Sequence, residues 1–505
     1  MLDRYIKRIL TAQVYAVAIE SALQPAAKLS ERLGNEVLLK REDQQPVFSF
    51  KLRGAYNKIA LLDADERSCG VICASAGNHA QGVALAAGKL GSKATIVMPI
   101  TTPAIKVEAV RALGGEVLLE GLTYDEASDR AKTLSAESGL TLIPAFDDAD
   151  VIAGQGTIGV EIARQCTTIP DAIFVPVGGG GLIAGVAVYI KHLYPDTKII
   201  GVEPEESASM HAALKAGKPV TLDRVGIFAD GVSVRRVGDE SFSLCKEYVD
   251  EIILVSTDEL CAAIKDIFLD TRAITEPAGA LAVAGLKKKV AAEGWQGKSL
   301  VAINSGANMG FDRLKHVAER ANLGEQTEGI FSVQIPEEKG AFLRFSKLLG
   351  ARAVTEFNYR LSDANEAKIF VGVALQEGLR ERDAIARELA EAGYGVLDLS
   401  ENELAKTHIR HMVGGLMPGS DESERLIRFE FPERPGALLN FLESVGAVWN
   451  ISLFHYRNHG SDYGRVLAGV QVPDAERSDF EAHLQKLGYP YWDETENPAY
   501  RLFLG

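Results

Sequence analysis

Short runs of strand-forming residues alternate with longer helical patterns over residues 37–310 of the 505-residue chain. Several of these runs are apolar throughout, as strands covered by helices on both faces must be. The predicted strands are VLLK (37–40), GVICAS (70–75), ATIVMP (94–99), EVLLE (116–120), AIFVPV (172–177), KIIGVE (198–203) and LVAIN (300–304). The alternation predicts an α/β fold in two lobes with largely parallel sheets. Ligands of such folds bind at the carboxyl ends of the strands.

The last third of the chain contains an internal repeat. The segment SVQIPEEKGAFLRFSKLLG (332–350) matches RFEFPERPGALLNFLESVG (428–446), so that Gly340 aligns with Gly436 at an offset of 96 residues. EFNYR (356–360) then aligns with LFHYR (453–457) at an offset of 97 residues. Each copy has the pattern strand, helix, strand, strand, helix, strand. We therefore predict one large α/β domain over residues 1–320 and two related α+β subdomains over 329–412 and 425–505.

Composition and charge exclude several classes of function. The chain has 54 basic and 69 acidic side chains and a net charge of −15, which argues against a nucleic-acid or anionic-membrane partner. No stretch approaches the roughly 20 apolar residues of a membrane span. The five cysteines are an odd number, and no cysteine or histidine cluster has the spacing of a metal site. Because the N-terminus also lacks a targeting pattern, we predict a cytoplasmic protein without a metal.

Two segments after the opening helix carry candidate chemistry. In SFKLRGAYNK (49–58), Lys51 follows an aromatic residue at the start of a predicted helix. Its amine could form a Schiff base if its pKa were depressed, or it could be an ordinary surface charge. In the loop SAGNH (75–79), small residues precede a helix, an arrangement that suits a bound carboxylate. An ordinary strand–helix turn capped by Asn78 explains this loop equally well.

Two further loops follow predicted strands. The strand FVPV runs into Gly178–Gly181 and then into a long helix. Four consecutive glycines are costly unless tight backbone geometry is needed, and a phosphate held by their amides supplies that need. The pattern is neither that of a dinucleotide fold nor that of a P-loop, and a purely structural tetraglycine is the alternative. Ser305 ends another strand, where its hydroxyl could bind a ring nitrogen or form a local turn.

Taken together, these motifs resemble the fold-type II pyridoxal-phosphate enzymes, whose catalytic domain is two-lobed and tryptophan synthase β-like. EPAGA (276–280) and AGQGT (153–157) are similar to the threonine/serine dehydratase branch, over about residues 1–320. The duplicated tail, with IPEEKG, EFNYR, FPERPGALL and WNISLFHYR, resembles the ACT-like regulatory region of the biosynthetic threonine deaminases. The resemblance therefore covers the whole chain.

The resemblance implies pyridoxal 5′-phosphate as the cofactor and Lys51 as the catalytic residue that holds it. The other implied cofactor contacts are Phe50 beside the lysine, Asn78 at the 3′ oxygen, Gly178, Gly179, Gly180, Gly181 and Leu182 at the phosphate, and Ser305 at the ring nitrogen. The implied substrate contacts are Ser75, Gly77, His79, Gly154 and Gln155. Ala76 stands where racemases of the family carry a hydroxyl, which disfavours racemase activity.

The implied reaction is a β-elimination that converts L-threonine to 2-oxobutanoate and ammonia, the first step of isoleucine biosynthesis. Feedback inhibition by isoleucine, opposed by valine, and a homotetramer are also implied. Arg352, Tyr359 and Tyr456 are the candidate effector-binding residues, although symmetric packing in equivalent copies explains the tyrosines equally well. The alternatives are a serine-preferring dehydratase, since one methyl group changes selectivity by only ~1–3 kcal/mol, and a non-catalytic amino-acid sensor.

Overall fold

The computed structural model describes residues 2–497 except for 101, 227, 312, 351, 361–364, 408, 412–422, 433–436 and 458–462. The chain divides into two compact units, Met1–Ala321 and Asn322–Gly505, which we call the N-terminal and C-terminal units. Gly436, residue 412 and the last eight residues, on which parts of the predicted repeat and subdomains fall, lie outside the described residues. Within the described ranges, no helix is long and apolar enough to cross a membrane.

The N-terminal unit contains two sheets. Its strands are β1 (Leu23–Pro25), β2 (Glu36–Arg41), β3 (Val71–Ala74), β4 (Ala94–Met98), β5 (Glu116–Leu119), β6 (Thr141–Leu142), β7 (Ala172–Pro176), β8 (Lys198–Pro204), β9 (Glu251–Val255) and β10 (Ser299–Asn304). The larger sheet has the order β1-β2-β10-β7-β8-β9, and the smaller sheet has the order β5-β4-β3-β6. Every pairing is parallel except that of β1 with β2.

Helices cover these sheets and connect their strands. They are α1 (Leu2–Leu10), α2 (Ala27–Leu33), α3 (Lys51–Ala60), α4 (Ala64–Cys69), α5 (Asn78–Lys89), α6 (Ala104–Ala112), α7 (Tyr124–Ser138), α8 (Ala149–Gln165), α9 (Gly181–Leu193), α10 (Ser209–Ala216), α11 (Asp239–Tyr248), α12 (Thr257–Thr271), α13 (Pro277–Glu293) and α14 (Arg313–Gly324). Several begin at sequence-encoded caps. The side chains of Asp148 and Ser256, for example, accept backbone N–H bonds from the first turns of α8 and α12.

Strand β7 shows why the central strands are apolar throughout. All five of its residues are buried. Ala172 and Phe174 belong to the cluster that includes residues of α12 and α13, whereas Ile173 and Val175 belong to the cluster that includes residues of α9. Alternate side chains therefore pack against helices on opposite faces of the sheet. The predicted α/β fold is confirmed, although β1, β6 and β9 are not among the predicted strands.

The C-terminal unit is built on one antiparallel sheet with the order β14-β11-β13-β12-β16-β17-β15-β18. Its strands are β11 (Glu328–Pro336), β12 (Val354–Arg360), β13 (Glu366–Ala374), β14 (Gly395–Asp398), β15 (Glu424–Pro432), β16 (Asn450–Arg457), β17 (Tyr463–Gln471) and β18 (Tyr491–Asp493). Its helices are α15 (Ala341–Leu349), α16 (Leu379–Glu391), α17 (Glu403–Thr407), α18 (Ala437–Phe441) and α19 (Arg477–Leu487). The predicted order of elements in each copy is confirmed.

The two copies join through β12 and β16 at the centre of this sheet. Asn358 lies opposite His455, its own equivalent in the repeat. Phe357 lies opposite Tyr456, and Tyr359 lies opposite Phe454, so the same aromatic pair occurs on each side of that central position. A local pseudo-twofold axis therefore passes between Asn358 and His455. A single hydrophobic cluster contains residues of both copies, so the copies share one core.

Candidate active site

Lys51 lies where the loop before α3 meets the loop after β10. The backbone N–H of Phe50 donates to the Ser305 carbonyl oxygen at 3.3 Å, and the N–H of Ala307 donates to the Phe48 carbonyl oxygen at 2.8 Å. Phe48 has a φ of 55°, a conformation that a non-glycine residue seldom adopts. These two hydrogen bonds bring together Lys51 and Ser305, which are more than 250 residues apart in the chain.

The Lys51 side chain is half-buried, and its amine lies near two carboxylates. Burial lowers its pKa below the ordinary value of 10.5, and the nearby carboxylates of Glu276 and Asp230 only partly offset this effect. In the part of the chain that the structure describes, the amine makes no hydrogen bond. A lysine of lowered pKa is neutral, and so can act as a nucleophile or a base, at a lower pH than an ordinary exposed lysine.

Asn78 is the first residue of α5, and other side chains hold its amide at both ends. Its Nδ2 donates to Glu276 Oε1 at 2.6 Å, and its Oδ1 accepts from Asn308 Nδ2 at 2.7 Å. Glu276 is 2% exposed, and burial together with the charge of Asp230 raises its pKa to about 7. The carboxylate form of Glu276 only accepts hydrogen bonds, whereas its protonated form can also donate one. Glu276 is therefore a titratable group directly beside a predicted cofactor contact.

The loop between β3 and α5 leaves room for a ligand. The Gly77 N–H donates to Ser75 Oγ at 3.2 Å, and a side chain added at Gly77 would meet nothing within 4 Å. The first turn of α5 starts at Asn78, so its amides face this open space without a side-chain cap. Such a helix end attracts an anion, although the substrate roles of Ser75 and Gly77 stay predictions.

His79 is buried in the same turn. Its Nε2 lies 2.9 Å from the Ile143 carbonyl oxygen, which can only accept, so Nε2 carries the proton. This bond fixes the ring as a structural contact between α5 and the segment after β6. Burial lowers the pKa of the imidazole from 6.5 to about 4. Its predicted contact with the substrate is untested, and its Nε2 already donates a hydrogen bond to the Ile143 carbonyl oxygen.

The His79 pKa predicts how stability depends on pH. The unfolded chain binds a proton at this position below about pH 6.5, and the folded chain does so only near pH 4, so stability falls as the pH drops through this window. We expect His79→Gln to remove a penalty on the order of 3 kcal/mol at pH 4. Urea unfolding of both proteins between about pH 4 and 7.5 measures the difference. The exposed His192→Gln controls for the loss of one histidine, and equal pH slopes for wild type and His79→Gln would contradict the prediction.

The tetraglycine lies between β7 and α9. A side chain at Gly179 or Gly181 would overlap Phe146, and one at Gly178 would lie 3.0 Å from the Val232 Cα atom. Gly180 has a φ of 96°, so its conformation also requires glycine. Among the described hydrogen bonds, the N–H groups of Gly178–Gly180 have no acceptor. The glycines are therefore needed for packing and, in addition, leave a row of free amides before the α9 N-terminus.

The segment Asp230–Val232 connects this row to the rest of the site. Val232 packs on Gly178, whereas a side chain at Gly231 would lie 3.6 Å from Glu276 Oε1 and 3.8 Å from Asn78 Nδ2. Since Gly231 and Val232 are adjacent in the chain, the tetraglycine and the Asn78–Glu276 pair lie on either side of this short segment. Lys51, Asn78, Ser305 and the free amides are consequently parts of one site at the carboxyl ends of β3, β7 and β10.

The remaining predicted contacts occupy different environments. Phe50 is partly buried against the cluster that contains the α9 residues, and Leu182 is a buried member of that cluster. Ser305 is 3% exposed, and its hydroxyl reaches the Ala278 carbonyl oxygen only at 3.4 Å, so it is available to another acceptor. Gly154 and Gln155 are buried inside α8, where Gln155 Oε1 accepts the Gly54 N–H at 3.2 Å. Their substrate role stays a prediction, and their contacts are with helix α3.

These residues fit the cofactor that the resemblance implies. A free row of amides at a helix N-terminus suits a phosphate, and a buried lysine without a hydrogen bond suits a covalently held aldehyde. A neutral hydroxyl from Ser305 suits the nitrogen of a pyridine ring, and an amide from Asn78 suits the oxygen at the 3′ position of that ring. In the described ranges, no group of acidic, histidine and cysteine side chains is arranged to hold a metal.

The predicted effector residues lie in the C-terminal unit. Arg352 already pairs with two carboxylates, its Nε with Glu381 and its Nη1 with Glu388, both at 3.2 Å. Tyr359 is 2% exposed, packs edge-on against Phe342 and donates its hydroxyl to the Glu337 carboxylate. Tyr456 is 8% exposed and lies in the same shared core. Both tyrosines pack in the equivalent positions that the repeat predicts, and their role in effector binding is untested.

Sequence reasoning missed Glu276, Asp230 and Asn308 as members of the site. Glu276 belongs to the motif EPAGA, but a carboxylate just before a helix is usually interpreted as an N-terminal cap. Its side chain makes no cap hydrogen bond and reaches Asn78 instead. Asp230 begins a short 3-10 helix and Asn308 lies in a loop, and neither belongs to a recognisable pattern, so only the folded chain identifies them.

Two family models match the chain. The model described as pyridoxal-phosphate dependent enzyme matches residues 17–306, and the model described as the C-terminal regulatory domain of threonine dehydratase matches residues 319–409 and 418–504. The two matches cover the N-terminal and C-terminal units in turn. They confirm the cofactor and the regulatory character of the tail that the resemblance implies.

Curated relatives match over the full length. The chain is 58% identical over 503 residues to the biosynthetic L-threonine dehydratase of Burkholderia multivorans, covering 99% of each chain. It is 57% identical over 500 residues to that of Escherichia coli, covering 99% of this chain and 97% of the relative. The chloroplastic biosynthetic threonine dehydratase of Arabidopsis thaliana is 49% identical over 500 residues, covering 99% of this chain and 84% of the relative.

Solved structures resemble the N-terminal part. The processed form of threonine deaminase isoform 2 from Solanum lycopersicum is 54% identical with a TM-score of 0.62, covering 63% of this chain and 93% of that one. Maize serine racemase is 32% identical with a TM-score of 0.58, covering 62% of this chain and 96% of that one. With full-length relatives at this level of identity, the chain belongs to the biosynthetic threonine dehydratases, pyridoxal-phosphate-dependent lyases with a C-terminal regulatory domain.

Proposed function

We propose that this enzyme converts L-threonine to 2-oxobutanoate and ammonia, with residues 1–320 as its catalytic domain. The observation that carries the proposal is the half-buried Lys51, whose amine has no hydrogen bond to a described residue and lies in the same site as Asn78, Ser305 and a row of free glycine amides. A non-catalytic sensor would need none of these groups in place. L-Serine is a second substrate because its side chain differs from that of threonine by one methyl group.

Pyridoxal phosphate, when bound, withdraws electrons from the α carbon of the substrate. Lys51 holds the cofactor at rest and, once released, accepts the α proton at Nζ. Burial lowers the pKa of this amine and so favours the neutral form that a general base needs. Gly178–Gly181 and Leu182 hold the phosphate through backbone N–H groups, and Phe50 packs beside the lysine.

Ser305 and the loop Ser75–His79 orient the reacting groups. The Ser305 hydroxyl is neutral, so it does not hold a ring nitrogen protonated as an aspartate would. The open space beside Gly77, at the N-terminus of α5, receives the substrate carboxylate. Gly154 and Gln155 support this arrangement indirectly, since they fix α3 and thereby Lys51.

The C-terminal unit regulates the enzyme, with residues 329–412 and 425–505 as two ACT-like subdomains. Isoleucine inhibits and valine opposes it, because both are small branched amino acids that suit an apolar site. Tyr359 and Tyr456 line that site, and Glu337, whose pKa burial raises, gives it an acidic group near Tyr359. Arg352, paired with two glutamates, orders α16 beside the site. A homotetramer in the cytoplasm completes the proposal, and three buried free thiols are typical of a reducing compartment.

The test is an assay of 2-oxo acid formation from L-threonine and L-serine, with and without isoleucine and valine. We expect product from both substrates, inhibition by isoleucine and partial reversal by valine. A protein that binds isoleucine but forms no 2-oxo acid would contradict the enzymatic proposal and support a sensor.

The same assay tests the effector residues. Tyr359→Phe should raise the isoleucine concentration for half-inhibition by about tenfold while leaving uninhibited turnover unchanged, because it removes one hydroxyl from the regulatory unit only. Tyr394→Phe is the matched control, since Tyr394 packs edge-on against Phe345 of the same unit. Equal inhibition curves for wild type and Tyr359→Phe would place the effector elsewhere.

A further inference from the structure

Asn308 lies in the loop after β10 and has no assigned role. Its Nδ2 donates to the Val47 carbonyl oxygen at 2.8 Å and to Asn78 Oδ1 at 2.7 Å. A backbone carbonyl oxygen can only accept a hydrogen bond, so the nitrogen of the Asn308 amide, and not its oxygen, must face Val47. Both N–H bonds of Asn308 are then used, one for each acceptor.

This arrangement determines the orientation of the Asn78 amide as well. Because Asn308 presents only donors to it, Asn78 must turn its oxygen toward Asn308 and its Nδ2 toward Glu276, which accepts at 2.6 Å. A side-chain amide carries two N–H donors, and Glu276 uses one of them. One N–H of Asn78 therefore remains, whereas the oxygen of Asn78 is already engaged.

We propose that Asn308 is a positioning residue that makes Asn78 present an N–H, rather than a carbonyl oxygen, to the 3′ oxygen of the cofactor. The inference rests on the proposed contact between Asn78 and the cofactor. The 3′ oxygen is phenolic and carries negative charge when ionised, so a donor stabilises that form and an acceptor repels it. Burial strengthens either effect, because the local dielectric constant is low.

Two substitutions of Asn308 separate orientation from packing. Asn308→Ala removes the restraint, and we expect the dissociation constant for pyridoxal phosphate to rise about tenfold, the typical effect of losing one hydrogen bond. Asn308→Asp keeps the size of the side chain but replaces the donor by an acceptor, which drives the Asn78 amide to turn over. Orientation therefore predicts weaker cofactor binding for Asp than for Ala, whereas a packing role predicts the reverse order.

The measurements are a titration of the full-length, cofactor-free protein with pyridoxal phosphate and a pH titration of the visible absorption band of the loaded protein. In both Asn308 variants the band should titrate at higher pH than in wild type, because ionisation of the 3′ oxygen is less favoured. Asn308→Ser keeps one hydroxyl donor and should bind more tightly than Asn308→Ala. Equal affinities of the Ser and Ala variants, or tighter binding by Asp than by Ala, would overturn the proposal.

Asn35 provides the matched control, because its Nδ2 donates to the carbonyl oxygens of Leu33 and Trp295 at 2.7 and 2.8 Å. Asn35→Asp places a carboxylate against backbone carbonyls as Asn308→Asp does, and should leave cofactor affinity and the band unchanged. Asn78→Ala tests the contact between Asn78 and the cofactor separately from the positioning role of Asn308. If it leaves both readouts unchanged, the proposed role of Asn78 fails; if it changes them and the Asn308 variants do not, only the role of Asn308 fails.

Discussion

Replacing Lys51 by alanine should lower turnover of threonine by about 10²- to 10⁴-fold, the range that a positioned base contributes. The lysine is the first residue of α3, and burial lowers its pKa, which favours its role as a base. The variant should also lose the visible absorption band of covalently held cofactor. Rates measured at saturating threonine and pyridoxal phosphate separate lost chemistry from weak binding.

Lys58 provides the control on the same helix. It pairs with Asp148 at 2.8 Å and with Asp150 at 3.4 Å, and these carboxylates raise its pKa against the effect of burial. Lys58→Ala should keep the absorption band and most of the turnover. Substantial activity in Lys51→Ala would show that another group is the base, and a retained band would show that another lysine holds the cofactor.

Replacing Glu161 by glutamine should lower the free energy of unfolding by about 3–5 kcal/mol. Glu161 lies in a fully buried group of four charges with Lys40, Glu42 and Arg53. It contacts Lys40 Nζ and Arg53 Nη1, each at 2.6 Å, while Arg53 also binds Glu42 at 2.8 Å. The neutral variant leaves two buried cations with one carboxylate, and that uncompensated charge is the source of the cost.

Chemical denaturation of wild type and variant, with equal slopes, measures this difference. Glu20→Gln is the control, because Glu20 pairs with Arg164 at an exposed position where an ion pair is worth at most about 1 kcal/mol. Arg53 lies two residues after Lys51, so Glu161→Gln should also weaken cofactor binding. A loss of stability no larger than that of Glu20→Gln would show that the buried charges do not depend on one another.

The parts of the structure that follow from local pattern were predictable. The run AIFVPV is apolar because helices cover both faces of β7, and the repeat appears because two copies of one fold form one sheet. Lys51 begins a recognisable helix, and the SAGNH loop, the glycines and Ser305 each follow a recognisable strand. Such features depend on a few neighbouring residues, and a single sequence contains that information.

The contacts between distant side chains were not predictable in the same way. Glu276 meets Asn78 across nearly 200 residues, and Asn308 meets Val47 across more than 250. The hydrophobic periodicity of a sequence does not predict such pairs, because each depends on how two loops approach each other after the sheets have formed. The four buried charges are a further case, since a sequence does not show which lysines and glutamates lose their water.

The pseudo-twofold axis between Asn358 and His455 has a consequence for how the tail can change in evolution. Since β12 and β16 pair edge to edge and the aromatic core is common to both copies, deleting one copy would expose a sheet edge and half of the core of the other. Loss of one copy alone should therefore leave a surface that is prone to aggregation. A lineage that dispenses with regulation should discard both copies together, leaving a short enzyme rather than one with a single regulatory subdomain.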